Sequence, residues 1–165
     1  MVYSIYDIGI GAIKQIRNAR AKKLFCPDFC ECKKRHKTRG VLMKKHEKEA
    51  RERYGNTKAY CEYEQKTKGY AKEKWAEASD EMAAIFGEFA KGSDLGFAPN
   101  SQEMQSLVGK LQDFITKNYY TCTNDILADL GKMYVCDERF KKNIDKYGKG
   151  AAELASAAIS IYCNK

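Results

Sequence analysis

A helical repeat of apolar residues runs through most of the chain after residue 70. Between residues 72 and 90, apolar side chains recur three or four positions apart, at Trp75, Ala78, Met82, Ile85, Phe86 and Phe89. This spacing places them on one face of an α-helix, where they can pack against a core. No stretch alternates apolar and polar residues as a half-buried strand does. The sequence therefore predicts an all-α fold.

Further apolar stripes with the same period predict the other helices of the core. A helix capped by Asn56 or Thr57 is expected to carry Tyr60 and Tyr63 on one face. Three later stripes are Met104, Leu107, Val108, Leu111, Phe114 and Ile115, then Ile126, Leu127, Leu130, Met133 and Tyr134, and finally Leu154, Ala158, Ile161 and Tyr162. Each stripe is expected to face inward, so the domain is predicted to be a helical bundle.

Capping residues suggest where several helices begin. Asn100 followed by Glu103 resembles a capping box, with Asn in place of the usual Ser or Thr. Asp137 is predicted to cap a short helix that continues through Asn143. Residues 92–99, which begin with glycine and end with proline, are predicted to form a loop.

Length, charge and cysteine content narrow the functional class. The 165 residues make one ordinary domain, and no apolar run approaches the roughly 20 residues that a bilayer requires. Seven cysteines without a secretion signal indicate reduced thiols and a cytoplasmic location. Residues 1–45 hold 12 Lys or Arg against 3 Asp or Glu, whereas the rest of the chain has a net charge of −1. The positive charge therefore belongs to the first segment.

Residues 1–43 are predicted to be a basic, mobile leader with little regular apolar pattern. Cys26, Cys30, Cys32 and His36 are possible zinc ligands, although their spacing fits no common finger because neither cysteine pair is C-x-x-C. The lysines and arginines around them suit phosphate contacts. A nucleic-acid-binding protein that acts through residues 14–45 is therefore the alternative function.

Catalysis has little support in the sequence. The two histidines, His36 and His46, lie outside the helical pattern, and no Ser or Cys nucleophile has a recognisable histidine partner. No glycine-rich phosphate loop is present. Glu62 and Glu64 are interpreted as members of a solvated, charged helical face. We therefore expect neither an enzyme nor a bound cofactor or metal.

The aromatic residues are the better indication of function. Eleven tyrosines are many for one small domain, and a pocket of aromatic and methionine side chains can hold a flat or heterocyclic ligand. The simpler interpretation is core packing, and it is favoured for Trp75, Phe86, Phe89 and Phe114. For Tyr119, Tyr120, Met133 and Tyr134, composition leaves the two interpretations equal.

A family resemblance adds to this evidence. The blocks that carry it are E-A-R-E-R-Y-G-N-T at 49–57, K-E-K-W at 72–75, N-Y-Y at 118–120 and G-K-M-Y-V-C-D-E-R-F-K-K-N-I-D at 131–145. In this order they resemble the TipA-type antibiotic-recognition (TipAS) domain, the ligand-binding part of certain MerR-class transcriptional regulators. The resemblance covers residues 44–165. It implies a globin-like helical bundle with a ligand cleft, over which the segment from residue 44 to 70 orders when drug is bound.

The same resemblance implies noncovalent binding of an antibiotic or other heterocyclic or peptidic small molecule. Its ligand-binding residues are expected to be Trp75, Tyr119, Tyr120, Met133, Tyr134, Arg139, Phe140 and Asn143. Arg139 and Asn143, one helical turn apart, are expected to direct hydrogen-bond donors toward the same opening. The chain is thus expected to be a drug sensor or drug-sequestering domain that does not span a membrane.

Two departures from the family pattern affect the expected function. Residues 1–43 do not align with the winged helix-turn-helix domain of the full-length regulators, so direct DNA binding is not expected without a separate domain. In thiostrepton-binding members, a cysteine two residues before the G-x-M-Y glycine adds covalently to the drug. Asp129 occupies that position here, and Cys122 matches a second family cysteine that is not the nucleophile.

Overall fold

The structure is a computed structural model that describes Arg51 and residues 55–164. Within these residues it contains six α-helices and no strand, which confirms the all-α prediction. The helices are α1 (Lys58–Thr67), α2 (Lys72–Asp94), α3 (Gln102–Asn118), α4 (Asn124–Cys136), α5 (Glu138–Ile144) and α6 (Ala151–Cys163). No helix in this part of the chain has both the length and the apolar content needed to cross a bilayer.

Helix α6 lies at the centre of the bundle, packed against α2, α3 and α4. Its inward face consists of small residues and one isoleucine, all fully buried: Ala151, Ala152, Ala155, Ala158 and Ile159. Small side chains let neighbouring helices approach closely. On α4, a Cβ added at Gly131 would lie 2.9 Å from Cγ2 of Ile159. The tight α4–α6 interface therefore fixes α4, which carries part of the candidate site.

Four helices begin with a side chain that caps the first turn. The hydroxyls of Thr57 and Thr123 and the carboxylate of Asp137 accept hydrogen bonds from backbone N–H groups of α1, α4 and α5. The prediction that Asn100 caps α3 is wrong. Ser101 caps this helix, because its backbone is extended and its hydroxyl accepts from Met104 N–H at 3.3 Å.

Two other details differ from the sequence prediction. Helix α2 continues to Asp94, so the loop begins later than residue 92, and Gly92 is a buried helical residue packed closely against Met104. Ile161 is 37% exposed and does not face inward. The buried stripe of α6 runs through Ala158 and Ile159, and residue 161 lies about 200° around the helix from Ile159.

Candidate functional site

The candidate site lies at the corner where α3 ends and α4 follows. Tyr119 directly follows α3, and the N–H groups of Tyr119 and Tyr120 both donate to Ile115 O, at 2.9 and 3.3 Å. Tyr134 comes from the last turn of α4. All three tyrosines have no exposed surface. We call Tyr119, Tyr120 and Tyr134 the tyrosine cluster.

The hydroxyls of the tyrosine cluster are buried, and no group of the described chain forms a hydrogen bond with any of them. Burial raises the pKa of all three, and the remaining contributions act in the same direction. Tyr134 and Tyr119 interact electrostatically with Tyr120, which places the three groups in one region. The hydroxyls therefore stay protonated at neutral pH and are available as hydrogen-bond donors.

Tyr119 joins α1 to the core through its aromatic ring. Its ring centroid lies 5.8 Å from that of Phe114 in an edge-on contact and 6.4 Å from that of Trp75 in a stacked one. Tyr63 of α1 approaches it at 6.2 Å. Trp75 is only half-buried and also meets Tyr70 edge-on at 5.4 Å. Helix α1 thus covers Tyr119 with aromatic surface.

Tyr134 belongs to a second aromatic group, which it forms with a residue of α2 and a residue that follows α5. Its ring packs edge-on against Phe86 of α2, with centroids 5.6 Å apart. Tyr147, which follows α5 and is 40% exposed, stacks on Phe86 at 6.3 Å. Phe86 is itself fully buried, which agrees with the core interpretation of that residue. Tyr134 is therefore held firmly by its neighbours while its hydroxyl is left without a partner in the described chain.

Glu62 of α1 is not the solvated residue that the sequence suggested. Its carboxylate accepts a hydrogen bond from Thr121 N–H at 2.8 Å and lies 3.7 Å from Lys58 Nζ. Burial alone raises the pKa of Glu62. The hydrogen bonds from Thr121 and the positive charges of Lys58 and Lys66 outweigh that effect, and they lower the pKa below its ordinary value. The ionised carboxylate therefore fastens α1 to the α3–α4 corner.

Two further side chains donate hydrogen bonds to backbone carbonyl oxygens at the end of α3. Lys66 Nζ donates to Thr116 O, and the Tyr70 hydroxyl donates to Asn118 O at 2.8 Å. Together with Glu62, they place α1 and the turn after it across residues 116–121. Tyr119 consequently lies beneath an element that is attached by side-chain contacts along one edge.

The other predicted site residues fall into two groups. Met133 and Phe140 are 4% exposed and belong to the core, next to the tyrosine cluster in sequence or on the neighbouring helix. Arg139 is exposed, and its guanidinium forms two hydrogen bonds with Asp137, at 3.2 and 2.9 Å. Asn143 Oδ1 accepts from Lys146 Nζ at 2.6 Å. Arg139 and Asn143 both lie on α5, as their spacing predicted. Each forms hydrogen bonds with another side chain at the surface, Arg139 with Asp137 and Asn143 with Lys146.

Cys122, which lies two residues after Tyr120, is poorly suited to attack an electrophile. Cys122 is 5% exposed, and burial, with a contribution from Cys163, raises the pKa of its thiol to about 12. The Asp129 carboxylate forms an ion pair with Lys132, in which Oδ1 and Nζ are 3.2 Å apart. The raised pKa makes Cys122 a poor nucleophile, whereas Cys136, two residues after Tyr134 on α4, is exposed. Among the described residues, no group of three or more His, Cys, Asp or Glu could hold a metal ion. The possible zinc ligands Cys26, Cys30, Cys32 and His36 lie outside the described residues.

Comparison with known proteins identifies the family that the helical domain resembles. A family model described as the TipAS antibiotic-recognition domain matches residues 46–162. The HTH-type transcriptional activator mta of Bacillus subtilis is 37% identical over 116 residues, which cover 70% of this chain and 44% of that protein. The HTH-type transcriptional activator TipA of Streptomyces coelicolor is 37% identical over 114 residues, 69% of this chain and 45% of that protein. The chain spans less than half the length of these curated relatives.

A solved structure is also similar to this chain: TipAS of Streptomyces lividans in complex with nosiheptide, from a thiopeptide antibiotic multidrug resistance system. The TM-score is 0.68 at 35% sequence identity, and the match covers 73% of this chain and 84% of that one. The helical fold that the sequence resemblance implied is therefore confirmed.

Proposed function

This chain belongs to the TipAS antibiotic-recognition domain family, and we propose that it binds an antibiotic or similar drug-like molecule noncovalently at the tyrosine cluster. One observation supports this proposal above others: three fully buried tyrosine hydroxyls have no partner in the described chain. Burying such a group without a hydrogen bond costs about 1–3 kcal/mol. Buried polar groups without a partner are few in native proteins, and a bound ligand that supplies the missing partner would remove this cost.

The proposed ligand site extends from the tyrosine cluster to its neighbours. Trp75 and Tyr119 form an adjacent aromatic surface, and Met133 and Phe140 supply apolar area beside Tyr134. Arg139 and Asn143 contribute only if their surface pairs open, so we assign them to the rim of the site. Helix α1 covers Tyr119 and is held by side-chain bonds at one edge, so its displacement gives the ligand access.

We infer that ligand recognition serves regulation or drug sequestration rather than catalysis. The relatives are named as HTH-type transcriptional activators, and this chain matches less than half of their length. Coupling to transcription therefore requires a DNA-binding partner or domain beyond the matched region. A cytoplasmic site of action is part of this proposal and agrees with the free thiols of Cys61, Cys122, Cys136 and Cys163.

A thermal-shift screen tests the proposed function. The full chain is heated with nosiheptide, thiostrepton and a panel of heterocyclic and peptide antibiotics, each at several concentrations. A ligand at 100 times its Kd should stabilise the folded state by about 2.7 kcal/mol, which gives a clear and concentration-dependent rise in Tm. If no thiopeptide or heterocyclic antibiotic raises the Tm at its solubility limit, the proposal is wrong.

The charge of the first segment favours nucleic-acid binding by residues 14–45 as the second candidate function. Twelve basic residues against three acidic ones in residues 1–45 suit phosphate contacts. A salt-sensitive gel shift that disappears in a chain starting at Val41 would support it. We expect instead that the shortened chain binds the antibiotic as tightly as the full one, because every residue that we assign to the site, from Trp75 to Asn143, follows Val41.

A further inference from the structure

Four large apolar side chains are exposed among the described residues, and three of them lie in one region. Leu95 and Phe97, in the loop after α2, are 71% and 39% exposed, and Ile161 of α6 is 37% exposed. The fourth, Tyr147, stacks on Phe86 inside α2. A group of exposed apolar side chains on a small domain indicates a contact with another surface.

Backbone and side-chain contacts join the loop to α6. Phe97 N–H donates to Gly92 O at 2.9 Å, and Cδ2 of Leu154 lies 3.3 Å from the position that a Cβ on Gly92 would take. Gln105 Nε2 donates both to Pro99 O in the loop and to Ala158 O in α6, at 2.8 and 3.1 Å. Ile161 follows Leu154 by seven residues, which is two turns along one helix face. The four residues Leu95, Phe97, Leu154 and Ile161 therefore form one surface, the loop–α6 patch.

The loop–α6 patch carries no charge of its own. The stretches 95–102 and 154–164 contain no Asp, Glu, Lys or Arg. Glu153, beside the patch, is paired with Lys141 at 2.7 Å. The other charges around it nearly cancel, and they belong to Lys91, Asp94, Glu103, Asp125 and Lys149. Charge thus selects neither an acidic nor a basic partner, and the patch fits an uncharged, apolar one.

A segment of matching composition occurs at the beginning of the sequence. Residues 1–16 contain five isoleucines, one valine and two tyrosines, and their only charged side chains are Asp7 and Lys14. Residues 17–50, in contrast, contain 12 Lys or Arg and 4 Asp or Glu. We propose that residues 1–16 of the same chain cover the loop–α6 patch. The prediction of a mobile leader then applies only to the basic residues after Ile16.

The chain is long enough for this contact. The 38 residues between Ile16 and Gly55 span up to about 130 Å when extended, whereas a domain of this size has a radius of gyration of about 13 Å. A segment tethered to its own binding surface has an effective concentration on the order of 1 mM, so a modest apolar contact keeps it in place.

The contact is separate from the proposed ligand site and does not depend on the proposed function. The loop–α6 patch lies at the start of α3, and the tyrosine cluster begins just after its end. The 17 residues of α3 put about 24 Å between these two ends. Covering the patch therefore leaves the tyrosine cluster accessible to a ligand.

Photo-cross-linking of the full chain tests this inference. A benzophenone amino acid replaces Phe97 in one protein and, as the matched control, the exposed Lys117 in another. Position 117 is also on α3, but it lies near α1, where Lys66 reaches Thr116 O. Irradiation at position 97 should join this position to residues 1–16 of the same chain, so the adduct keeps the mass of a monomer. The yield of this adduct should be about tenfold higher than from position 117.

Two variants examine the two sides of the contact in the protein labelled at position 97. Ile10→Asp combined with Ile13→Asp places carboxylates in the leader, and Leu95→Asp places one on the patch, where its high exposure leaves the fold intact. Each should reduce the adduct yield about tenfold, because a carboxylate against an apolar surface loses its hydration.

Three results would overturn the inference. Adducts between two chains would show that a second copy covers the patch. Equal yields from positions 97 and 117, or yields that the aspartate variants leave unchanged, would show only that the leader is tethered nearby. The absence of any adduct with residues 1–16 would show that another partner covers the patch or that it stays open. None of these results bears on antibiotic binding, so the proposed function stands or falls separately.

Discussion

The attachment of α1 is the feature whose perturbation has the most predictable size. In Glu62→Ala the hydrogen bond from Thr121 N–H, 2.8 Å long, is lost together with the ion pair to Lys58. A hydrogen bond to a charged group contributes about 1.5–3 kcal/mol. The Glu62 side chain is 24% exposed and Thr121 is exposed, so water replaces part of this bond. The exposed pair with Lys58 adds little. We therefore expect a loss of about 1 kcal/mol, or a roughly fivefold increase in the detached state of α1.

Hydrogen exchange followed by mass spectrometry measures this detachment directly. Peptides that cover residues 58–70 should exchange faster in Glu62→Ala, while peptides from α4 and α6 should keep their protection. Glu64→Ala is the matched control, because it makes the same substitution two residues away on the same helix. Within the described chain, no hydrogen bond or ion pair of the Glu64 carboxylate is seen. Equal exchange of residues 58–70 in the two variants would refute the assigned role of Glu62.

Three further predictions concern packing, pH and chemistry. Gly131→Ala should destabilise the fold by about 1–2 kcal/mol in urea unfolding, because the new Cβ would lie 2.9 Å from the side chain of Ile159. Gly87→Ala should instead stabilise the fold by about 0.5–1 kcal/mol, because the new Cβ would have no other atom within 4 Å to clash with. The pKa of Glu62 is lowered in the folded state, so its carboxylate contributes fully to α1 attachment above the ordinary pKa of about 4.5. This contribution is lost as the pH falls through the lower pKa of the folded state. The exchange rate of α1, corrected for intrinsic rates, should therefore be constant from pH 5.5 to 8 and rise in acid. Incubation with thiostrepton should leave the intact mass unchanged, since burial raises the pKa of Cys122 to about 12; a stable adduct mapped to any cysteine would contradict noncovalent binding.

The helices were predictable because their signals are local. The repeat of apolar residues in α2, α3 and α4 depends only on 3.6 residues per turn, and the buried positions agree with it. Errors arose where the backbone conformation decides which of two neighbouring residues caps a helix. Ser101, and not Asn100, caps α3. They also arose on α6, where the run of alanines left the buried face ambiguous and Ile161 was placed inside.

The site was less predictable because its chemistry depends on contacts between distant residues. Glu62 and Thr121 are 59 residues apart, and nothing in the local sequence distinguishes Glu62 from Glu64. Tyr119, Tyr120 and Tyr134 were expected at the site from the family resemblance. That their hydroxyls are buried without partners in the described chain, while the Tyr70 hydroxyl has one, follows only from the packed structure.

Binding at the tyrosine cluster can be tested directly by the hydrogen-exchange footprint of nosiheptide on the full wild-type chain. Binding at the tyrosine cluster should slow exchange in residues 58–70, which lie over the corner, and in residues 117–136, which carry Tyr119, Tyr120 and Tyr134. The rest of α3 and the C-terminal half of α6 should change little. A footprint confined to α6 or to residues 1–50, or no footprint at a concentration that saturates the thermal shift, would contradict the proposed site.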